Sequence, residues 1–396
     1  MRRGDAWLLL ILAAAFLTRV FLAVTLPYVH DEENTHIPLS TTISLAPGAV
    51  NLPIRGENHG ALPAYVVKAS SMLFGTTPIA FRALHVLLGL VVIVLVYRLA
   101  GDWYGPTAAR WAAALMAFND YFLSVSARAT AHVPHLFLVT GALYAFSRFL
   151  ASQRAGWLYL AGLSAGLAFY CKEHSALVVP VFFATLLLPR SRHWLRGPHA
   201  YLACALFALV IAPDVVWNAR ADPETARVAY TGQEVGQATY RAHLQRVGGF
   251  GVSPYPAMFY GKDAVIALHG LVTGRALIDN TPEYTSVNPL LGLVLVASVL
   301  VAAFRRSERN AVQPLLLFMA LGIFGFFTLI APGDPPYRLD PVSWVWVETT
   351  LVPAVVLAGA RLAGAAGRWR TAAWALAALG ILYAVDGAFY GSIASG

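Results

Sequence analysis

Charge is what this sequence has least of. Of its 396 residues only 12% are Asp, Glu, Lys or Arg, while 58% are hydrophobic, and a soluble domain carries roughly twice that charged share. So few charges cannot cover a water-facing surface on a chain of this length. A soluble globular module is excluded, and bilayer lipid is the natural solvent for most of the molecule. Cysteine is nearly absent as well. Cys171 and Cys204 stand alone, with no neighbouring Cys and no metal-ligand spacing, which excludes a disulfide framework and a thiolate zinc site. No internal repeat, low-complexity tract or soluble domain stands out. The formal net charge is +8, but the basic residues punctuate apolar runs and do not gather with exposed aromatics on one soluble element. That pattern argues against a nucleic-acid partner.

What is present is apolar runs. A crossing helix needs roughly 20 mainly apolar residues, and that window finds about eleven candidates. They lie near residues 6–26, 80–100, 105–123, 132–150, 157–171, 174–189, 199–217, 286–304, 312–331, 343–361 and 370–388. The first follows Met1-Arg2-Arg3 and is longer than the apolar core of a signal peptide, so it reads as an anchor. The pair at 157–189 is short enough to form one tight hairpin. The stretch Ala61 to Phe74 is apolar but shorter still, and with Pro63 near its start it reads as a helix along the membrane surface. The expectation is an all-α integral membrane protein forming a single polytopic domain over 1–396. It has a long outer loop at 218–287, C-terminal helices at 286–396 and no large soluble domain.

Orientation follows from the short basic loops. Arg2 and Arg3, Arg98 and Arg110, Arg148 and Arg154, then Arg190, Arg192 and Arg196 fall on one side if the spans alternate. Arg305, Arg306 and Arg309, and finally Arg361, Arg368 and Arg370, fall on that side too. This predicts a multi-pass protein of the cell membrane with a cytoplasmic N-terminus and its functional groups outside.

Chemistry gathers on the side opposite those arginines. The first outer loop opens with His30-Asp31-Glu32-Glu33-Asn34-Thr35-His36. A general base must be held within hydrogen-bond reach of the proton it takes, and the end of a rigid span provides that. A solvated polar cap on the helix would use the same residues. Further on, Arg55-Gly56-Glu57-Asn58-His59-Gly60-Ala61-Leu62-Pro63 bends the chain back toward the membrane. Glu57 and His59, with Asp31 or His36, have the carboxylate and imidazole chemistry of a divalent-cation site. No ligand motif requires a metal, and satisfied loop polars explain the same residues. Arg128, Lys172 and Arg338 stand at outer helix ends. Arg grips phosphate with a planar fork and Lys as a point charge, and cations at membrane depth are functional candidates. Snorkelling to headgroups is the plainer use. His132 and His135, three apart at a helix start, face the same way.

In order and spacing these residues resemble the GT-C glycosyltransferases of the protein O-mannosyltransferase and lipid A aminoarabinose transferase type. Asp31-Glu32 is similar to that family's early Asp-Glu pair, and His59-Gly60-Ala61-Leu62-Pro63 imperfectly matches its His-Pro-Pro-Leu turn. Phe74-Gly75 and Phe81-Arg82-Ala83-Leu84 resemble its lead into the second span. Ala108-Ala109-Arg110-Trp111-Ala112-Ala113-Ala114-Leu115 resembles its Ala-rich third span, and Ser126-Ala127-Arg128 its outer Ser-Arg element. Cys171-Lys172-Glu173 and Pro336-Tyr337-Arg338 with Pro341 resemble later elements. The match is fullest over residues 1–200, which would form a GT-C-type module. An acidic residue usual shortly after the outer Arg is absent, and His132 is near its place.

The resemblance implies transfer of a sugar from a polyprenyl-phosphate donor to a lipid, glycan or protein acceptor on the non-cytoplasmic face. Asp31 and Glu32 are then the catalytic candidates, and Arg128, Lys172 and Arg338 bind the donor phosphate. Glu57, His59, His132 and Tyr337 contact acceptor or substrate. The resemblance implies an inverting displacement, and a divalent metal is compatible with the sequence without being required by it. The rival reading is a lipid-linked sugar flippase or another transporter. Transporters favour paired halves and polar groups at the midplane, neither of which is seen here. A non-catalytic scaffold would leave the acidic and cationic clusters unexplained.

Overall fold

The computed structural model describes residues 3–28, 31–44, 60–220, 227–230, 233–236, 289–304, 311–323 and 339–365. The first helix, α1 (Arg3–Thr25), is followed by a wide helical turn, Asp31–His36, that runs into the short α2 (Ile37–Thr42). Then come α3 (Leu62–Phe74), α4 (Pro78–Tyr104), α5 (Pro106–Ala117), α6 (Asp120–Ser126), α7 (His132–Ser152) and α8 (Ala155–Phe169). A 3-10 turn, Glu173–Leu177, leads into α9 (Val178–Leu186), and another, Arg192–Arg196, into α10 (His199–Arg220). Beyond a strand pair lie α11 (Pro289–Phe304), α12 (Val312–Leu317) and α13 (Leu339–Ala365).

At least four helices are long and apolar enough to cross a bilayer: 6–25, 78–104, 132–152 and 199–216. The 27 residues of α4 make a rod of about 40 Å at 1.5 Å per residue, against roughly 30 Å of hydrocarbon. Its ends are set by local chemistry. Pro78 sits in the first turn after an extended Thr77, where its missing N–H costs nothing. Gly105, at φ 88°, closes the C-terminus in the left-handed region, and Pro106 at once opens α5.

One expected span differs in the structure. The run at 105–123 is two helices, because Asn119 is extended and its Oδ1 accepts the Phe122 N–H at 3.0 Å. An Asn that caps a new helix ends the old one. At 157–189 the chain forms α8 and α9 joined by the 3-10 turn, and α8 also packs along α7 and α10. Gly162 and Gly166, four residues apart on α8, let α10 approach so closely that a Cβ at Gly162 would lie 2.5 Å from the Ala203 carbonyl oxygen. This is the small-residue seam typical of helix pairs in lipid. The candidates at 312–331 and 370–388, and most of the 218–287 loop, lie partly or wholly outside the described residues. Within that loop β1 (Arg227–Tyr230) pairs antiparallel with β2 (Gln233–Gly236), the departure from helix among the described residues.

The core joins α4, α5, α7, α8, α9 and α13, with Phe146 stacked on Phe182 at 4.1 Å between centroids. In α1 the side chains of Leu9, Leu10, Leu17 and Val24 are exposed, as on a lipid-facing stripe. Helix α3 packs on α4 through Ala64, Val67 and Ser70 and leaves Met72, Leu73 and Phe74 exposed.

The bundle has two chemically distinct ends. At one, Arg148 on α7 donates to Asp102 on α4 at 2.9 Å, Trp194 Nε1 to Gln153, and Tyr159 meets His199. The other end holds Glu32, Arg82, Ala129, His132 and Lys172. Arg82 and Asp102 are twenty positions apart on α4, about 30 Å along the axis, so the ends are separated by a bilayer's thickness.

Candidate active site

The first span ends with carbonyls that no helix satisfies, and Arg82 takes them. Its Nη1 donates to Ala23 O at 2.9 Å and Leu26 O at 2.8 Å, and its Nη2 to Pro27 O at 3.0 Å. The same guanidinium forks onto Glu32, Nε to Oε1 and Nη2 to Oε2, each at 2.7 Å. Oε1 also accepts the Ala129 N–H at 2.7 Å. Arg82 and Glu32 are both fully buried, so this pair is a dry, charge-assisted knot joining α1, the wide turn, α4 and the approach to α7. The Arg82 guanidinium lies 4.9 Å from the Tyr28 ring centre. Burial pushes the Tyr28 phenol above its ordinary pKa, Arg82 pulls it back and Glu32 adds to the rise.

Asp31 opens the wide turn, one residue before Glu32; its side chain lies outside the described residues. Turns of this π type are uncommon and recur at functional sites. With both oxygens of Glu32 engaged by N–H donors, that carboxylate is poorly suited to take a proton from an acceptor or to ligate an ion. Among the described residues no three His, Cys, Asp or Glu side chains converge as a metal site. Glu57, His59, Tyr337 and Arg338 lie outside the described residues.

Three residues beyond Ala129 stands His132, at the start of α7. The Lys172 ammonium donates to His132 Nδ1 at 2.9 Å, and the Tyr121 hydroxyl lies 3.2 Å from the same nitrogen. An ammonium has no lone pair, so Nδ1 is the acceptor and the ring carries its proton on Nε2. Lys172 and His132 are both buried. Beside them the rings of His135 and His174 meet edge-on at 4.8 Å. Arg128 is buried in the turn between α6 and α7.

The chain returning from the first loop docks on this same place. Gly60 N–H donates to Cys171 O at 3.4 Å and Leu62 N–H to Tyr170 O at 3.1 Å. A Cβ on Gly60 would drive into the Tyr170 backbone carbonyl. Glycine is therefore what lets the residue after His59 lie against the turn that carries Lys172.

Glu32, Arg128, His132 and Lys172 thus lie at one end of the bundle, joined through the Ala129–His132 strip. In the sequence Arg82 stands only as part of the Phe81-Arg82-Ala83-Leu84 motif, with no role attached to it. Neither Tyr121 nor Arg19, which is fully buried in α1, is among the candidates that the sequence patterns single out. An arginine inside an apolar run is a legible signal for the last of these. Tyr121 has none.

Known proteins resemble this chain in part of its sequence and in its fold. The family described as dolichyl-phosphate-mannose-protein mannosyltransferase matches residues 58–217. An uncharacterized protein of Aquifex aeolicus is 27% identical over 134 residues, 33% of this chain and 27% of that protein. The archaeal oligosaccharyltransferase AglB of Archaeoglobus fulgidus, in complex with an inhibitory peptide and a dolichol-phosphate, superposes with a TM-score of 0.57. It is 16% identical, over 100% of this chain and 56% of that one. The oligosaccharyltransferase of that organism in complex with Zn and sulfate gives a TM-score of 0.56 at 18% identity, over 97% of this chain and 52% of the other. The chain thus spans about half the length of the solved relatives and about a quarter of the Aquifex protein. At such identities the superposition speaks for the fold alone, a helical membrane bundle of GT-C type, and the sequence match for a family resemblance over residues 58–217. Over residues 58–217 the chain is similar to the family described as dolichyl-phosphate-mannose-protein mannosyltransferase.

Proposed function

We propose that this protein transfers a glycosyl group from a polyprenyl-phosphate donor to an acceptor on the non-cytoplasmic face of the membrane. The observation that carries this reading is the gathering of an acidic loop and two buried cations, Arg128 and Lys172, at one end of the bundle. A transporter would concentrate such groups at the midplane. The family match supports the donor class, and a relative of the same fold holds a dolichol-phosphate and a peptide.

In this reading Asp31 accepts the proton of the acceptor hydroxyl. The oxygen attacks the anomeric carbon from the face opposite the phosphate, and the carbon–oxygen bond to phosphate breaks with inversion. The polyprenyl phosphate leaves with the bonding pair. Lys172, Arg128 and Arg338 stabilise its growing charge, so no strong general acid is needed. Glu57, His59, His132 and Tyr337 are assigned to the acceptor side, and the prenyl tail to an apolar groove between spans. We assign eleven crossings, with the N-terminus cytoplasmic.

The test is Asp31→Asn. Asn keeps size and hydrogen-bonding capacity but takes no proton. Transfer is measured in membranes with the lipid-linked donor that accumulates in cells lacking the protein, identified by mass spectrometry. Asp31→Asn loses transfer at normal protein level and donor binding, while Glu33→Gln is milder. Near-normal transfer by Asp31→Asn would overturn the catalytic assignment and raise the transporter reading.

A further inference from the structure

Arg19 lies within the first span, six residues before its end at Thr25, with its side chain 0% exposed. A guanidinium at that depth is costly and calls for a reason. Its contacts give one. Nε donates to Ser126 Oγ at 2.7 Å, and Nη1 donates to Ala117 O at 3.1 Å and Ala15 O at 3.2 Å. The Phe122 ring lies 5.0 Å from the guanidinium carbon. Ala117 is the last residue of α5 and Ser126 the last of α6, so Arg19 spans the break between these helices and ties both to α1. The Ser126 hydroxyl in turn donates back to Phe122 O at 2.5 Å. Gly89 on α4 makes room for the knot, because a Cβ there would lie 2.9 Å from Ser126 Cβ and 3.4 Å from Arg19 Nε.

The strip that follows is fastened twice to the same part of the chain. Ser126 is held by Arg19 on α1, and the Ala129 N–H is held by Glu32, just past the end of α1. Arg128 lies between the two fasteners. We propose that Arg19 is a positioning residue that fixes Arg128 for the phosphate of the lipid donor. The inference rests on the transferase reading above and adds to it a residue that touches no substrate.

Binding of undecaprenyl phosphate to the purified full chain in nanodiscs tests this. Ser126→Ala and Arg19→Lys each loosen one fastener. Each raises the dissociation constant about tenfold, the size of one lost charge-assisted contact, at unchanged binding stoichiometry. Gly89→Ala, which removes no polar group, does the same by crowding Ser126. The Arg19→Lys/Ser126→Ala double variant is no worse than the weaker single, since both break one linkage. A merely structural role gives the opposite signature, reduced stoichiometry with the wild-type dissociation constant, and overturns the proposal. So does wild-type binding in Ser126→Ala and Gly89→Ala. If the wild-type protein itself binds no undecaprenyl phosphate, the transferase reading fails with it, and that outcome is distinct from the other two.

Discussion

At the scale of the residue, the most informative side chain is Arg82, because it serves two masters at once. It neutralises a buried carboxylate, and it caps three carbonyls at the end of α1. Breaking a buried ion pair by removing one partner costs about 3–5 kcal/mol, whereas replacing both partners by apolar groups is often nearly neutral. Here that recovery is incomplete, because the carbonyls of Ala23, Leu26 and Pro27 stay without their donor. Arg82→Met therefore lowers thermal stability more than Glu32→Gln, and the double variant regains part of the loss, measured by unfolding in detergent. Full recovery in the double variant would show that the carbonyl contacts contribute little. In the proposed mechanism the base is Asp31, the residue next to this knot in the chain, and a base needs a preorganised position. Charge alone does not separate the adjacent acids Asp31 and Glu32 in the sequence. The contacts of Glu32 do, and they join positions 50 and 97 residues away.

At the scale of the element, the telling contact is backbone on backbone. Gly60 and Leu62 hydrogen-bond to Cys171 and Tyr170, which fastens the start of α3 to the turn beyond α8. A Cβ at position 60 collides with the Tyr170 carbonyl, and a carbonyl in a packed turn does not yield as a flexible side chain does. Gly60→Val should displace the return of the first loop from the Lys172 turn and lower kcat/KM about tenfold or more, about 1.4 kcal/mol in the barrier. Helix content by circular dichroism should stay at the wild-type level. Unchanged kinetics would mean that the docking is incidental to the site. The long helices were legible from hydropathy because α1, α4, α7 and α10 are unbroken apolar windows. The break at Phe118–Asn119 was not, because an 18- to 20-residue average dilutes a two-residue interruption. Its signal was there in a capping Asn followed by an acidic residue, at the residue scale. Likewise Arg128, His132 and Lys172 were legible as candidates on the side opposite the basic loops. Their hydrogen-bond order, with Tyr121 and Lys172 both at His132 Nδ1, depends on packing between α6, α7 and the turn after α8, which no local pattern encodes.

At the scale of the whole molecule, the separation of the two ends makes orientation the deciding question. From α1 to α10 the chain alternates between them. It reaches the Glu32 end after α1, α6 and α8 and the Asp102–Arg148 end after α4, α7 and α9. Around the second end Arg154, Arg190, Arg192 and Arg196 are exposed, and an excess of basic residues in short loops marks the cytoplasmic side. The expected topology follows: position 192 is cytoplasmic, and position 263, in the loop between α10 and α11, is outside. Single cysteines at these positions, in a Cys171→Ala/Cys204→Ala background that removes both native thiols, are treated with a membrane-impermeant maleimide. Asp263→Cys should react in intact cells and Arg192→Cys only after the membrane is opened. Because the two ends stand about 30 Å apart along α4, no local rearrangement moves position 192 across. Labelling of Arg192→Cys from outside would therefore invert the whole bundle and put Asp31, Lys172 and Arg128 on the cytoplasmic face. An enzyme so placed would meet its lipid-linked sugar before the carrier is flipped, and the proposed site of transfer would be wrong even with every contact in it intact.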